Sequence, residues 1–415
     1  MNILYKGGIV LLSFASLQAI TLKELVYKTI QNNENLKADK YSQKAKQKTY
    51  ESNKNVYSPN LTIGASYNRL DFDTRATQVG ITTTGFLKFD LSLYNGGKNR
   101  ALKQQKRYEY ESAKYNNITN VKKTLLNVVT LYFNLKTINE NINVFNEKSK
   151  ALKAQYDRIK TKYDMKMATI DDVLKMKSEY ESNLYTIEEL KYQKEEILKN
   201  LELLSGVKID SLETSKLPDI KNLTYKPTST IKSLELLQKA QQENVKINEA
   251  IKKPQVKLED SYNIYGYDKY DEKLLRDLPD KQNQFSLTVT YNLFDTASKL
   301  KIESAKLAKL ASNEQLIFAK KQAKTDFILA KRKIQTQILK LKSLKSAVEM
   351  ANSVYDIIKT KYENGVVDNI AYLDALSKKI YNLALYKQAL NDLEIAKANY
   401  YFKSGVNYKE VLKNW

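Results

Sequence analysis

Residues 285–293, Phe-Ser-Leu-Thr-Val-Thr-Tyr-Asn-Leu, alternate without a break: Phe285, Leu287, Val289, Tyr291 and Leu293 against Ser286, Thr288, Thr290 and Asn292. Successive side chains of a strand point to opposite faces, so the stretch predicts a strand with one apolar and one polar face. Working back along the chain, Val256, Leu258, Tyr262 and Ile264 alternate with Lys257, Glu259, Ser261 and Asn263. Nearer the beginning, Leu61, Ile63, Ala65 and Tyr67 alternate with Thr62, Gly64, Ser66 and Asn68. From Val79 onward Ile81, Leu87, Phe89, Leu91 and Leu93 oppose Thr82, Thr84, Lys88, Asp90 and Ser92. Each stretch runs for about 10–15 residues, the length that crosses a bilayer when the strand is tilted. Leu61, Ile63, Phe89, Leu91, Val256, Leu258, Leu287, Val289 and Tyr291 are the candidates for a lipid-facing surface. A closed membrane barrel takes roughly eight or more strands, so four strands from one chain predict an oligomer. Tyr67, Tyr94, Tyr262, Tyr265, Tyr267 and Tyr291 are candidates for aromatic girdles at the membrane surfaces.

Outside the strands the pattern is helical. No Gly or Pro occurs between Lys98 and Tyr163, and at about 1.5 Å per residue that stretch makes a rod of about 100 Å. Val128, Tyr132, Leu135, Ile142, Phe145, Leu152, Tyr156, Ile159 and Tyr163 recur at three- and four-residue spacing. Val173, Met176, Tyr180, Ile187, Leu190, Ile197, Leu201 and Leu204 do the same on a descending partner. This is the seam of a coiled coil. The unit then recurs: Tyr156-Asp157-Arg158-Ile159-Lys160-Thr161-Lys162-Tyr163 returns as Tyr355-Asp356-Ile357-Ile358-Lys359-Thr360-Lys361-Tyr362, and Pro59 has its counterpart in Pro254. Residues 20–206 are thus read as a first repeat of helix, hairpin, long helix and helix, and 229–408 as a second. Residues 207–228, holding Pro218 and Pro227, are read as a linker, and 409–415 as a tail.

Composition narrows the functions. The chain has 415 residues with only 11 Gly and 5 Pro, so its elements must be long. It has no Cys and no His, which removes thiol and imidazole catalysis, disulfides and zinc-finger ligand sets. No clustered carboxylate or lysine site stands out, so no enzyme and no cofactor is expected. The charge of +22 comes from 69 basic against 47 acidic residues. Arg, the residue suited to bidentate readout of bases and phosphates, supplies few of them, so no nucleic-acid partner is expected. Residues 1–19 carry Lys6, a short apolar run and Ala19, the pattern of a secretory signal peptide.

Several segments together resemble the TolC-type outer-membrane efflux proteins. They are Thr21-Leu22-Lys23-Glu24-Leu25 with Asn32-Asn33-Glu34-Asn35-Leu36, and Tyr57-Ser58-Pro59-Asn60-Leu61. They continue with Leu93-Tyr94-Asn95-Gly96-Gly97-Lys98, mirrored by Leu293-Phe294-Asp295, and Tyr362-Glu363-Asn364-Gly365-Val366 with Tyr372-Leu373-Asp374-Ala375. The resemblance implies a mainly α fold with β structure. In it a homotrimer closes one 12-stranded barrel in outer-membrane lipid, continued by an α-helical coiled-coil barrel in the periplasm. It further implies a passive duct for small molecules or polypeptides, docked to a periplasmic adaptor and an inner-membrane transporter. The helix-to-helix turns would then narrow the duct, which makes Asp171, Asp172, Gly365, Asp368 and Asp374 candidates for the tip and gate. Repeated around a constriction, such carboxylates form an acidic ring that attracts cations; the competing role is helix capping, shared with Thr169. Three departures from the family pattern bear on this. Lys166 stands where a Gly is expected, and an Asp near Ala371 and a basic residue near Val367 are missing. Packing of the tips through Met165, Met167, Val366 and Val367 is the remaining means of holding them. The rival to a channel is an exported coiled-coil adhesin or periplasmic scaffold.

Overall fold

The computed structural model describes residues 20–55, 57–70, 79–218, 222–271, 273 and 275–407. The signal-peptide reading, the loop from Asp71 to Gln78 and the tail lie outside them. Helices α1 (Leu22–Asn32) and α2 (Glu34–Ser52) lead into strands β1 (Asn60–Arg69) and β2 (Ile81–Asn95), then α3 (Lys98–Asp164) and α4 (Ile170–Ser205). The same order returns as α5 (Ser229–Glu249), a short 3-10 turn (Ala250–Lys252), β3 (Gln255–Asp268), β4 (Lys281–Thr290), α6 (Thr296–Glu363) and α7 (Asn369–Lys403). The chain forms two compact units. One holds the described parts of 1–38, 118–228 and 322–415; the other holds the described parts of 39–117 and 229–321. Among the described residues no helix is long and apolar enough to cross a membrane.

The first unit is helical, and its core is the predicted seam. Val128, Tyr132, Leu135 and Leu201 are buried together with Leu25 and Val26 of α1. Farther along α3, Leu152 and Ile159 pack with Val173, Met176, Tyr372, Leu376 and Ile380. Polar residues enter this seam and are satisfied only in part: Asn183, almost fully buried, donates to the Phe145 carbonyl at 3.0 Å, while its Oδ1 is buried without a hydrogen-bond partner. Helix α1 starts with a capping box, in which Thr21 Oγ1 accepts from the Glu24 amide and Glu24 accepts from the Thr21 amide. Donation from the Thr21 amide and, second, from the Thr21 hydroxyl holds the Glu24 carboxyl below its ordinary pKa. The segment read as a linker is not loose where it is described. Ile209 and Leu217 enter the α1–α3 core, Leu212 bridges to Ile20, and the Tyr132 hydroxyl donates to the Glu213 carbonyl.

The second unit holds an antiparallel sheet in the order β1-β2-β3-β4. Leu61 pairs with Phe89, Leu91 with Leu258 and Val256 with Val289. The helical segments of this unit make lateral contacts in the order α2, α3, α5, α6. Asn117 of α3 donates to Gln43 of α2 at 3.0 Å, Ser112 of α3 bonds Ser233 of α5 at 2.8 Å, and Lys320 of α6 pairs with Glu235 of α5 at 2.7 Å.

Candidate channel sheet and hairpin tips

The register sorts the sheet into two unlike faces. Leu61, Ile63, Tyr67, Leu87, Phe89, Leu91, Val256, Leu258, Tyr262, Ile264, Phe285, Leu287 and Val289 share one side. The other side carries Thr62, Ser66, Thr82, Thr84, Lys88, Asp90, Lys257, Glu259, Ser261, Gln284 and Thr288. Eight of the nine lipid-face candidates therefore fall on one face; Tyr291 lies just beyond β4, half exposed. No described residue covers that face: Ile63 is 83% exposed and Val289 64%. Asp260 is a polar residue in the middle of it, in register between Phe89 and Phe285, with Oδ1 buried and without a hydrogen-bond partner, whereas Arg69, Thr83, Asp268, Lys281 and Asn283 of the same face lie toward the hairpin ends. Two of the girdle candidates need correction. Tyr265 and Tyr267 lie on the polar face, stacked with ring centroids 5.9 Å apart, because they pair with Thr84 and Thr82.

On the polar face four charges close a ring. Lys257 lies 2.6 Å from Glu259 and 3.1 Å from Asp90, and Lys88 lies 3.1 Å from Glu259 and 3.5 Å from Asp90. The quartet is balanced, two ammonium groups against two carboxylates. Sequence reading had placed each on a polar face but could not join them, because the joining is done by the β2–β3 register.

The two hairpin tips, both in the helical unit, are built alike. At the first, Met167 N donates to Lys162 O at 2.7 Å and Lys166 N to Tyr163 O at 2.8 Å. At the second, Val366 N donates to Lys361 O at 2.8 Å and Gly365 N to Tyr362 O at 3.1 Å. Each is a Schellman motif, whose penultimate position requires a left-handed residue. Gly365 fills it at φ 73°, and Lys166 fills it at φ 61°. A side chain there costs about 1 kcal/mol. Lys166→Gly is therefore expected to stabilise the first tip by about 1 kcal/mol and Gly365→Ala to destabilise the second by a similar amount. Hydrogen exchange of the amides around 163–169 and 362–369 reads both, and equal protection in Lys166→Gly and the parent chain would count against the strain.

Helix α4 opens on a capping box in which the Asp172 amide donates to Thr169 Oγ1 at 3.3 Å and Thr169 Oγ1 donates to Asp172 Oδ2 at 2.8 Å. Helix α7 opens on Asp368, which accepts from the Ala371 amide at 3.0 Å. Capping thus occupies Asp172 and Asp368. Asp374 pairs with Lys378 at 2.7 Å, both exposed, and Asp171 is exposed in the first turn of α4. Asp172 also links the tips, because its Oδ1 accepts from Asn369 Nδ2 at 3.2 Å. A second link comes from Arg158, whose Nη2 donates to the Glu363 carbonyl at 3.2 Å with its guanidinium 5.7 Å from the centre of the Tyr362 ring. Tyr362 stacks on Tyr372 at 4.9 Å, and Tyr372 meets Tyr355 at 5.9 Å with hydroxyls 3.4 Å apart. Burial pushes the Tyr372 phenol well up; it also raises Tyr362, against the pull of Arg158. Of the residues expected to pack the tips, Met165, Met167 and Val366 are 65, 72 and 70% exposed, and Val367 is half-buried. The three exposed residues lie at the turns themselves, past the last buried layer.

Residues 25–207 match the family described as outer membrane efflux protein. That match covers nearly all of the first repeat. The second repeats its element order, and the fold of both is that of known channels. The outer membrane protein VceC from Vibrio cholerae superposes with a TM-score of 0.79 at 15% identity, covering 93% of this chain and 96% of that one. The CmeC outer membrane channel of Campylobacter jejuni gives 0.80 at 19% identity, covering 95% and 89%. A membrane protein from Pseudomonas aeruginosa gives 0.80 at 17%, covering 92% and 90%. No curated protein matches. The family match and the channel folds the chain resembles support an outer-membrane location with an extension into the periplasm.

Sequence reasoning missed Arg158, Asn369 and the tyrosine stack. A signal for Arg158 existed. It is the one position at which the repeated octapeptides differ, with Ile357 in the second copy.

Proposed function

We propose that three copies of this chain close one twelve-stranded barrel and act as the passive exit duct of a tripartite efflux or type I secretion system. A periplasmic adaptor and an inner-membrane transporter would supply recognition and energy. The observation that carries this is the sheet: four strands with, among the described residues, both edges unpaired and an uncovered apolar face. A strand of ten residues tilted at about 40° spans about 25 Å, the height of an apolar barrel band. The apolar face then meets lipid and the polar face, with its charge quartet, lines the pore. The helices support the same reading. Ile317, Ile328, Leu339 and Met350 of α6 recur at an eleven-residue spacing and are 39, 56, 67 and 65% exposed. An eleven-residue stripe suits nearly straight helices packed side by side, unlike the heptad seam within a hairpin.

In this reading the tips gate the duct. The links from Asp172 to Asn369 and from Arg158 to Glu363 hold the two hairpins of a copy together, in place of the contacts the family pattern puts at Ala371 and Val367. Asp171, Gly365, Asp368 and Asp374 complete that end. Asp172→Ala removes a capping bond and the Asn369 link, and is expected to cost about 1–2 kcal/mol locally and to raise the open probability in single-channel recordings. A closed-state conductance identical to that of the parent would remove Asp172 from the gate. The whole reading is tested by fractionation and mass in detergent. A detergent-dependent trimer that conducts in planar bilayers is expected, whereas a monomer in the soluble periplasmic fraction would instead favour a scaffold or adhesin.

A further inference from the structure

The internal repeat fixes how one copy must join the next. Residue 61 in β1 corresponds to 256 in β3, as Pro59 does to Pro254, and residue 89 in β2 corresponds to 289 in β4, as Leu93 does to Leu293. Under this correspondence the β1–β2 ladder becomes the β3–β4 ladder pair for pair. Leu61 opposite Phe89 becomes Val256 opposite Val289, and Ile63 opposite Leu87 becomes Leu258 opposite Leu287. The two hairpins are one object used twice. The β2–β3 ladder joins the first to the second, with Leu91 opposite Leu258 and Leu87 opposite Tyr262. Within this unit the helices repeat the relation: α3 lies between α2 and α5, whereas residues 296–321 of α6 contact α5 through Lys320 with Glu235 and Lys306 with Glu249, and the described side-chain contacts of that stretch add no other helix. At the strand-to-helix turn a Cβ on Gly96 would come within 2.4 Å of the Ala250 carbonyl, so that turn is pressed against the start of the second hairpin. The equivalent second turn has no such cover. Leu293 and Phe294 are 88 and 90% exposed, against 48 and 46% for Leu93 and Tyr94.

We infer that the β4 edge of one copy pairs with the β1 edge of a second copy in the register of the β2–β3 ladder, an assignment that rests on the trimer reading above. Transferring that register sets Tyr291 opposite Ile63, Val289 opposite Ala65, Leu287 opposite Tyr67 and Phe285 opposite Arg69 of the next copy. On the other face it sets Thr290 opposite Gly64, Thr288 opposite Ser66 and Ser286 opposite Asn68. The faces agree across the joint, polar with polar, and apolar with apolar except at Arg69 on the rim. A one-residue slip would exchange the faces. A two-residue slip would keep them but bring Leu287 opposite Ala65 or Arg69, so it must be separated by distance. The absence of cysteine from the chain makes that possible without background. Leu287→Cys with Tyr67→Cys, and separately Ser286→Cys with Asn68→Cys, place a thiol on each edge of every copy. Neighbouring pairs of a ladder alternate between close and wide spacing, so one of the two suits a disulfide. After mild oxidation in detergent at least one of these variants is expected to shift to three times the monomer mass on a non-reducing gel. Leu287→Cys with Ala65→Cys, or with Arg69→Cys, should remain monomeric on the gel. Cross-linking of a slipped variant in place of both in-register ones, or of none while light scattering still shows a trimer, overturns the register alone. Light scattering that shows no trimer overturns the assembly and the register with it.

Discussion

Replacing Tyr372 with alanine is expected to release the hairpin tips. Tyr372 is 1% exposed and is sandwiched between Tyr355 and Tyr362. Truncating a buried aromatic leaves a cavity and costs about 3–5 kcal/mol. Helices this long do not unfold as one, so the loss falls on local opening near the tips. Hydrogen exchange over residues 355–376 should speed up by the corresponding two to four orders of magnitude, on the order of tenfold per 1.4 kcal/mol, while amides near Leu25 and Val128 stay unchanged. If the tip links form the gate, the closed-state leak should rise with it. Protection unchanged in the variant would mean that the stack carries no load. The conservative Tyr372→Phe keeps the ring and tests the phenol. Burial raises the folded-state pKa of Tyr372 above that of the unfolded chain. Its contribution is therefore complete below the ordinary phenol value of about 10 and is lost as pH rises beyond it. Tyr372→Phe should weaken that alkaline loss, and Tyr362, shifted in the same direction, accounts for part of the remainder.

The second large effect is expected in the sheet. Leu87 lies mid-strand on the apolar face, opposite Ile63 and Tyr262, and Thr84 lies on the polar face opposite Ser66 and Tyr265. Arginine at a lipid-facing midplane position costs about 2–4 kcal/mol, whereas a pore-facing position tolerates it. Leu87→Arg should therefore fail to assemble in lipid vesicles, or assemble with a lower urea midpoint. Thr84→Arg should assemble as the parent does and shift the pore toward anions. Equal penalties for the two would show that the apolar face does not meet lipid.

The strands were legible because a period of two is local. Phe285 to Leu293 announces its two faces with no knowledge of any neighbour, and the seam from Val128 to Tyr163 announces a helix in the same way. What stayed hidden depends on pairs distant in sequence. Lys88 and Glu259 are separated by most of a repeat, and only the β2–β3 register makes them a salt bridge. Asn369 reaches Asp172 across nearly the whole repeat length. The aspartates at the tips were legible as residues but ambiguous as roles, because capping and gating favour the same side chain at a helix start. The structure assigns capping to Asp172 and Asp368 without excluding the other role. Tyr265 and Tyr267 misled because an aromatic residue on a strand reads the same from either face until its partner is known.

Lys166 in the position of Gly365 has a bearing on counting. Two nearly identical turns per copy would give a trimer six tips, related by an approximate sixfold axis. One set of three shows a strained lysine flanked by exposed methionines, and the other shows a relaxed glycine beside an exposed valine. A ring of identical docking proteins arriving at that end would meet two kinds of seat in alternation. Its occupancy should then fill in two steps, three strong and three weak, rather than in one step of six.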